Sequence, residues 1–168
     1  MNNDSQLPVR HKPAGGVRSA VLLLPSVYGD LFFSADGTSC ECIRPQGEVH
    51  RCRLADGRSS FDETLEVKGG TRTVTHRLRL VADRDAAEEW LKPDFIQLLR
   101  FTGVAADITL ADGRRLLAGV SAHMYDKQPL RLRSIDVASG CRLADVPSVT
   151  MVLESTDSAF AAALTYNV

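Results

Sequence analysis

The sequence lacks the long apolar segments of membrane and exported proteins. Its longest unbroken apolar run near the start spans residues 20–24 and follows a polar tail that carries Arg10, His11, Lys12 and Arg18. A run of this length is too short for a signal-peptide core or a membrane span. We therefore expect a protein that is made and kept in the cytoplasm.

The chain also lacks a strong charge of either sign. It contains 20 Lys and Arg residues against 21 Asp and Glu residues, which gives a formal net charge of −1. The overall attraction that draws nucleic-acid-binding and membrane-surface proteins to their partners is therefore absent. We expect no membrane partner, and nucleic acid is disfavoured as a partner.

Cysteine is scarce, and its spacing is not that of a disulfide framework. The chain has four cysteines, Cys40, Cys42, Cys52 and Cys141, and its length allows it to fold without covalent staples. Cys40 and Cys42 form a C-x-C pair, and His50 and Cys52 form an H-x-C pair. In strands, the two members of each pair would lie on the same face, but the C-x-x-C spacing of zinc knuckles is missing. We predict reduced thiols that act as small buried hydrophobes, and no metal ligands. The sequence leaves open whether the two pairs come together.

Motifs for catalysis and cofactor binding are missing as well. The sequence has no phosphate-binding loop, dinucleotide fingerprint, G-x-S-x-G elbow or H-E-x-x-H helix. His76 falls on the apolar face of a predicted strand, which favours a hydrogen-bonded core or interface histidine over a catalytic base. His123 and Tyr125 have no nucleophile or carboxylate nearby in sequence, and they suit an exposed contact better. We predict no catalytic residue and no cofactor.

The chain does contain a series of sheet-forming segments. Alternation over residues 104–110 leads into Asp112-Gly113, a turn pair typical of tight hairpins. Further alternating runs cover residues 73–80 and 129–137. In the first of these runs, one face takes Val74, His76, Leu78 and Leu80. A last strand is predicted around Val149, Met151 and Leu153.

One helix is predicted between these strands, near residues 84–101. Apolar residues recur there at helical spacing, at Ala87, Leu91, Phe95, Leu98 and Leu99, with Trp90 beside them. Pro93 either kinks this helix or starts a second one at its first turn, and Gly103 ends it.

The fold class follows from these elements. We predict an α+β domain that is mainly an antiparallel β-sandwich or barrel with one helix. The single domain would span residues 17–158, between a flexible N-terminal tail, residues 1–16, and a C-terminal tail, residues 159–168. A short helix that starts near Ser155 or Asp157 is one alternative for the end of the chain.

Four arginines form the most distinctive pattern. Arg77 and Arg79 alternate on the outer face of one strand, and Arg131 and Arg133 alternate in another. One interpretation is a solvated face with the strands apart. The other is an interface in which a second subunit, or the acidic segment around Asp62, Glu63 and Glu66, supplies carboxylates. The aromatic residues that would stack on single-stranded nucleic acid are missing from these strands.

The order of the elements resembles small structural proteins of tailed bacteriophages and prophages, most closely the tail-tube and tail-assembly group. The resemblance covers about residues 60–158 and includes His76-Arg77-Leu78-Arg79-Leu80, the helix, the hairpin, Gln128-Pro129-Leu130-Arg131-Leu132, and the strand that ends in Ser155-Thr156-Asp157. It implies a sandwich or barrel that assembles into rings through edge strands and extended loops, without a cofactor or catalysis. Residues 62–70 and 122–128 would then reach a neighbouring subunit.

On this basis we expect a non-enzymatic assembly subunit of phage or prophage tail type. It would bind copies of itself or other phage structural proteins, in the cytoplasm or in a virion-like particle. The candidate interface residues are Arg77, Arg79, Arg131, Arg133, His123 and Tyr125. One alternative is a small-ligand or carbohydrate-binding β-domain, with a concave pocket lined by Trp90, Tyr125 or phenylalanines. A second is a small enzyme that uses His123 or His76 with a partner acid.

Overall fold

The protein folds into two β-sheets and one short helical segment. The computed structural model describes residues 15–24, 31–43, 49–123 and 128–167. The strands are β1 Val17–Leu23, β2 Leu31–Phe33, β3 Ser39–Ile43, β4 Val49–Cys52, β5 Ser60–Lys68, β6 Thr71–Asp83, β7 Ala105–Leu110, β8 Arg115–Ala118, β9 Arg131–Ala138, β10 Ser148–Asp157 and β11 Ala162–Asn167. Between β6 and β7 lie a 3-10 turn, Glu88–Leu91, helix α1, Pro93–Gln97, and one π-helical turn, Leu98–Thr102.

The larger sheet has seven strands in the order β2-β3-β11-β8-β7-β1-β4, and the smaller has four in the order β5-β6-β10-β9. Among the described strands, only β3 and β11 pair in parallel. The predicted α+β, mainly β fold with one helix is confirmed. The predicted hairpin is β7–β8, and Gly113 adopts the positive φ that its turn requires.

The main core lies between the two sheets. Strand alternation gives each sheet an apolar inner face, and the helical segment closes one side of the space between them. The largest fully buried side chains in this cluster are Leu22, Leu78, Leu80, Trp90, Leu99, Ile108, Leu130, Met151 and Leu153. Since burying each of these side chains contributes about 1.5–3 kcal/mol, this cluster dominates the stability of the fold.

A second apolar cluster lies on the opposite face of the seven-stranded sheet. Leu22 belongs to the main core and Leu23 to this cluster, because successive strand residues face opposite ways. Leu31 of β2 and Val49 of β4 both pack against the same cluster. The two edges of the sheet therefore curve toward each other around it.

The helical segment is shorter than predicted. No single helix covers residues 84–101; a 3-10 turn precedes Pro93, which occupies the first position of α1. Proline is favoured there because an N–H at the first helical position would have no hydrogen-bond partner within the helix. Pro93 therefore starts a helix and does not kink a longer one. Gly103 follows the π-helical turn with a φ of 73°, and its N–H binds the carbonyl of Leu98 at 2.9 Å.

The prediction of a C-terminal tail was wrong. β10 extends to Asp157, and residues 162–167 form β11, which lies between β3 and β8 in the larger sheet. Ala162 and Leu164 are buried. The alternation here is short and built from small residues, so the sequence carries little strand signal. Of the predicted N-terminal tail, residues 1–14 lie outside the described part of the chain.

Candidate self-association interface

The four-stranded sheet ends in two long edge strands. β5 has nine residues and β9 has eight, and within the described residues each of them pairs on one side only, with β6 and with β10. The other side of each strand presents backbone N–H and C=O groups for which a further strand is the natural partner. The segment 62–70, which the resemblance implies would reach a neighbouring subunit, contains most of β5.

The four candidate arginines lie on the outer face of this sheet, but they do not crowd together. Arg77 and Arg79 are exposed on β6, and Arg131 and Arg133 are exposed on β9. β10 separates the two strands. This arrangement agrees with the interpretation of a solvated face with the two arginine strands apart.

Glu154 of β10 stands between the arginines. It lies directly opposite Arg77 in the β6–β10 ladder and opposite Arg131 in the β9–β10 ladder. On the other side of Arg77, Asp62 of β5 is its direct neighbour. The row across the outer face thus reads acidic, basic, acidic, basic, ending with Asp62 at one edge and Arg131 at the other.

This row assigns the carboxylates that the sequence left open. The acidic segment places Asp62 beside Arg77 in the β5–β6 ladder, and the position of Glu154 was missed. Its position was readable in principle, because Val149, Met151 and Leu153 face inward and the even-numbered positions of β10 must face outward. The sequence did not reveal the strand order, which places β10 between β6 and β9.

The other two arginines have different surroundings. Arg79 donates from Nη1 to the carbonyl of Arg58 at 2.8 Å. Arg133 lies at a register shift, since Val152 pairs with Ser134 and the next residue of β10, Leu153, pairs with Leu132. A bulge of this kind turns a side chain away from the regular ladder.

The inner face of each edge strand carries apolar side chains that the core does not cover. On β5, Leu65 is 39% and Val67 is 64% exposed; on β9, Val137 is 49% exposed. Phe61 and Leu132, closer to the centre of the sheet, are partly buried against the core. An edge strand with exposed apolar residues is a site where a second chain can bind.

His76 is buried in the structure and holds a loop in place. It is 2% exposed. Its Nε2 lies 3.0 Å from the carbonyl oxygen of Ala159 and 3.4 Å from Oε1 of Glu63. The same carboxylate oxygen accepts from the N–H of Ala161 at 2.6 Å. His76 and Glu63 together attach the β10–β11 loop to β5, as expected of a hydrogen-bonded core histidine.

The enzyme alternative gains an acid partner in Glu63, but it lacks access. His76 Nδ1 and the hydroxyl of Ser155, its neighbour across the β6–β10 ladder, are both buried without a hydrogen-bond partner. A substrate would have to displace the β10–β11 loop to reach either group. The geometry therefore favours a structural role for His76.

His123 lies in an open cleft of about 630 Å³ at one end of the two sheets. The turn between β2 and β3, the turn between β5 and β6 and the β10–β11 loop meet there, and the lining includes Asp36, Gly37, Gly70, Arg72 and Phe160. Gly37 lies close beneath the imidazole, where a Cβ would collide with Nε2. Both segments predicted to reach a neighbouring subunit contribute to this cleft, residues 62–70 through Gly70 and residues 122–128 through His123. Tyr125 lies outside the described residues.

The Asp36 carboxylate in this cleft is committed to its own turn. The hydroxyl of Ser34 donates to it at 2.6 Å, and the backbone and hydroxyl of Thr38 donate at 3.1 and 2.9 Å. These bonds lower its pKa to about 2. Asp36 is therefore a turn-stabilising group and a poor general acid or base.

The cysteine and histidine pairs do not form one site. Cys40 on β3 belongs to the second cluster, whereas Cys52 on β4 packs against the main core, on the opposite face of the sheet. Four strands separate β3 from β4. Burial raises the pKa of the Cys52 thiol to about 12, which makes it an inert apolar group. No cluster of potential metal ligands occurs within the described ranges.

Two general findings complete the description. None of the helices in the part of the chain that the structure describes is long and apolar enough to cross a membrane. Comparison with known proteins finds no matching family model, no similar curated protein and no similar solved structure.

Proposed function

We propose that this chain is a non-enzymatic structural subunit that self-associates by placing β9 of one copy beside β5 of the next. The observation that carries the proposal is the complementarity of the two edges of the four-stranded sheet. One edge offers carboxylates on its outer face and the other offers guanidinium groups, and both carry exposed apolar residues on the inner face.

Strand direction makes this addition possible without a change of fold. Each neighbouring pair in the order β5-β6-β10-β9 is antiparallel, so β5 and β9 of one subunit run in opposite directions. A second copy rotated about an axis parallel to the strands therefore presents β5 antiparallel to β9 of the first. The result is one continuous antiparallel sheet, and the contact is heterologous, so that repeated addition forms a ring or an open filament.

Charge complementarity favours this order of edges over like-edge pairing. At the row of charges, the outer face of β5 ends in Asp62 and that of β9 ends in Arg131. Farther along the strands, Glu66 forms an ion pair with Lys68 of β5 at 3.0 Å, and Asp136 is exposed on β9. Addition of β9 to β5 continues the alternation of charges across the subunit boundary, whereas β9 beside β9 would bring arginines together. Exposed ion pairs contribute only about 0–1 kcal/mol each, so their main effect is on the choice of edge and register.

Backbone pairing and apolar contact would supply most of the affinity. Strand addition satisfies the unpaired groups of both edges. With Asp62 beside Arg131, Phe61 of one subunit would lie opposite Leu132 of the next on the inner face. Leu65 and Val67 lie toward the Val74 end of the sheet and Val137 toward its Ala82 end, so these exposed side chains flank the contact. The resemblance in layout to phage tail proteins is our reason for placing the assembly in a phage or prophage particle, with copies of itself or other structural proteins as partners.

The test is the mass of the protein in solution across a concentration series, by light scattering after size exclusion, with negative-stain imaging of large species. We expect association that Asp62→Lys weakens, because the new cation would face Arg131 of the next copy. Val146→Lys is the matched control, since Val146 is 61% exposed in the loop before β10 and lies on neither edge strand.

Charge reversal at the β9 edge provides a second test of the proposed contact. Arg131→Glu should weaken association, whereas Arg53→Glu, at an exposed position after β4, should not. A strict monomer at all concentrations, or association that neither edge variant alters, would overturn the proposal. If the protein is a monomer that binds a phage structural protein through β5 or β9, self-association is overturned and these edges serve assembly with a different partner.

A further inference from the structure

We propose that the cleft between β4 and the helical segment is a binding site for a small molecule with an apolar body and a protonated amine. The cleft has a volume of about 560 Å³, within the range of small-ligand sites. Its walls are mainly leucine, valine and phenylalanine side chains, and its polar lining residues are His50, Glu89 and Asp94. This inference is independent of the self-association proposed above.

The hydrogen bond between Trp90 and His50 fixes the state of the imidazole. Trp90 Nε1 lies 3.1 Å from His50 Nε2, and an indole N–H can only donate, so Nε2 must accept and the ring proton resides on Nδ1. Burial lowers the pKa of His50, and the nearby Glu89 only partly offsets this effect. His50 is therefore a neutral group at the cleft, and it does not repel a cation.

The aromatic ring of Phe95 forms the adjacent wall. Its centroid lies 4.7 Å from that of His50, with the ring planes inclined by 41°. Leu98 and Val104 continue the apolar surface beyond it. The flat rings and branched aliphatic chains suit an aromatic or branched apolar group.

The charged groups that line the cleft are both carboxylates. Glu89 already forms an ion pair with Lys92, with Nζ and Oε2 2.7 Å apart, and Lys92 does not line the cleft. Asp94, in the first turn of α1, is exposed, and none of the ion pairs between described residues involves its carboxylate. An ammonium group at the rim would pair with this carboxylate while the apolar part of the ligand occupies the interior.

The geometry rules out Trp90 as a stacking surface for a sugar ring. Its side chain is 1% exposed and its N–H is used internally. Trp90 acts instead as a support that orients His50. It also makes a convenient reporter, because it is the one tryptophan in the sequence and contacts a residue that lines the cleft.

The experiment titrates the full chain with three probes that share a phenyl group: phenethylamine, phenethyl alcohol and hydrocinnamate. The readouts are the fluorescence of Trp90 and its single indole N–H resonance. We expect the amine to shift both signals in a saturable way, the alcohol to bind more weakly, and the carboxylate to bind least. Asp94→Asn should weaken amine binding about tenfold, the effect of losing one charge-assisted contact.

Asp136→Asn is the matched control, because Asp136 is an exposed carboxylate on β9 and lies outside the cleft. It should leave amine binding unchanged. The proposal is overturned if none of the three probes shifts the Trp90 signals at millimolar concentration. It is also overturned if the three probes bind equally well, or if Asp94→Asn and Asp136→Asn have the same effect.

Discussion

Glu154 lies directly opposite Arg77 in the β6–β10 ladder, and this pairing organises the outer face of the four-stranded sheet. The same carboxylate faces Arg131 across the other ladder. One acidic residue thus separates two basic strands that would otherwise place like charges side by side. This relationship makes the arginine pattern compatible with a stable subunit, and it leaves Asp62 and Arg131 as the outermost charges of the row.

Reversal of this central charge should destabilise the subunit. Glu154→Lys would place three cations in one row, and we expect a loss of about 1–2 kcal/mol of unfolding free energy in urea denaturation. Thr156→Lys, on the same outer face of β10 and opposite Thr75, should cost less than about 0.5 kcal/mol. Equal losses in the two variants would show that the row of charges has no specific effect.

Removal of the Ser155 hydroxyl should be neutral or stabilising. This hydroxyl is buried without a hydrogen-bond partner, so Ser155→Ala removes a desolvated polar group and loses no bond. Ser121→Ala is the contrasting change, because the Ser121 hydroxyl donates to the buried carboxylate of Asp157 at 2.8 Å. We expect that variant to lose about 1–3 kcal/mol in thermal or urea unfolding. A larger loss in Ser155→Ala than in Ser121→Ala would contradict this assignment.

The Glu63 carboxylate should control the local stability of the β10–β11 loop. It accepts from the N–H of Ala161 at 2.6 Å, so Glu63→Ala should speed hydrogen exchange at that amide by about tenfold or more. Glu63→Gln keeps an acceptor oxygen and should retain most of the protection. Glu66→Ala, on the exposed outer face of the same strand, is the control. Unchanged exchange in Glu63→Ala would rule out this anchoring role.

His50 should make the protein less stable as the pH falls. Burial lowers its pKa in the folded state, while in the unfolded chain the value is about 6.5. Below that pH the unfolded chain takes up a proton that the folded protein resists, so stability falls until the pH reaches the folded-state pKa. The neutral form is equally present in both states above the unfolded value, and the effect vanishes there.

The measurement is the unfolding midpoint between about pH 5 and pH 8, followed by Trp90 fluorescence. Because the chain contains three further histidines, the relevant quantity is the difference between the native sequence and His50→Gln. Glutamine offers an oxygen to the Trp90 N–H without titrating. If the two proteins lose stability in parallel, His50 is not the group responsible.

Local sequence patterns were sufficient to predict the five strands from β6 to β10. Residues 73–80 alternate strictly, and Asp112-Gly113 supplies a turn whose chemistry is local, so β6 and the β7–β8 hairpin could be predicted from a few neighbouring residues. The buried position of His76 followed from the same alternation. The mainly β class with one helix followed from the number of such segments.

Only the tertiary structure decided which strands are neighbours. Alternation shows which way a side chain faces, but it does not encode strand order, which depends on contacts distant in sequence. The position of β10 between β6 and β9, and hence the role of Glu154, could not be predicted for that reason. β11 was missed because its small residues are buried by the strands on either side of it, and burial of that kind is a property of the sheet.

The candidate sites show the same division. The sequence by itself determined which residues are charged, which faces are apolar and where the turns lie, because these depend on side-chain chemistry and short-range spacing. The fold decided that Asp62 and Arg131 end the same row at opposite edges, and that His50, oriented by Trp90, lines one cleft with Asp94. Such sites arise from packing between distant segments, and the free energy that brings those segments together comes from the shared core.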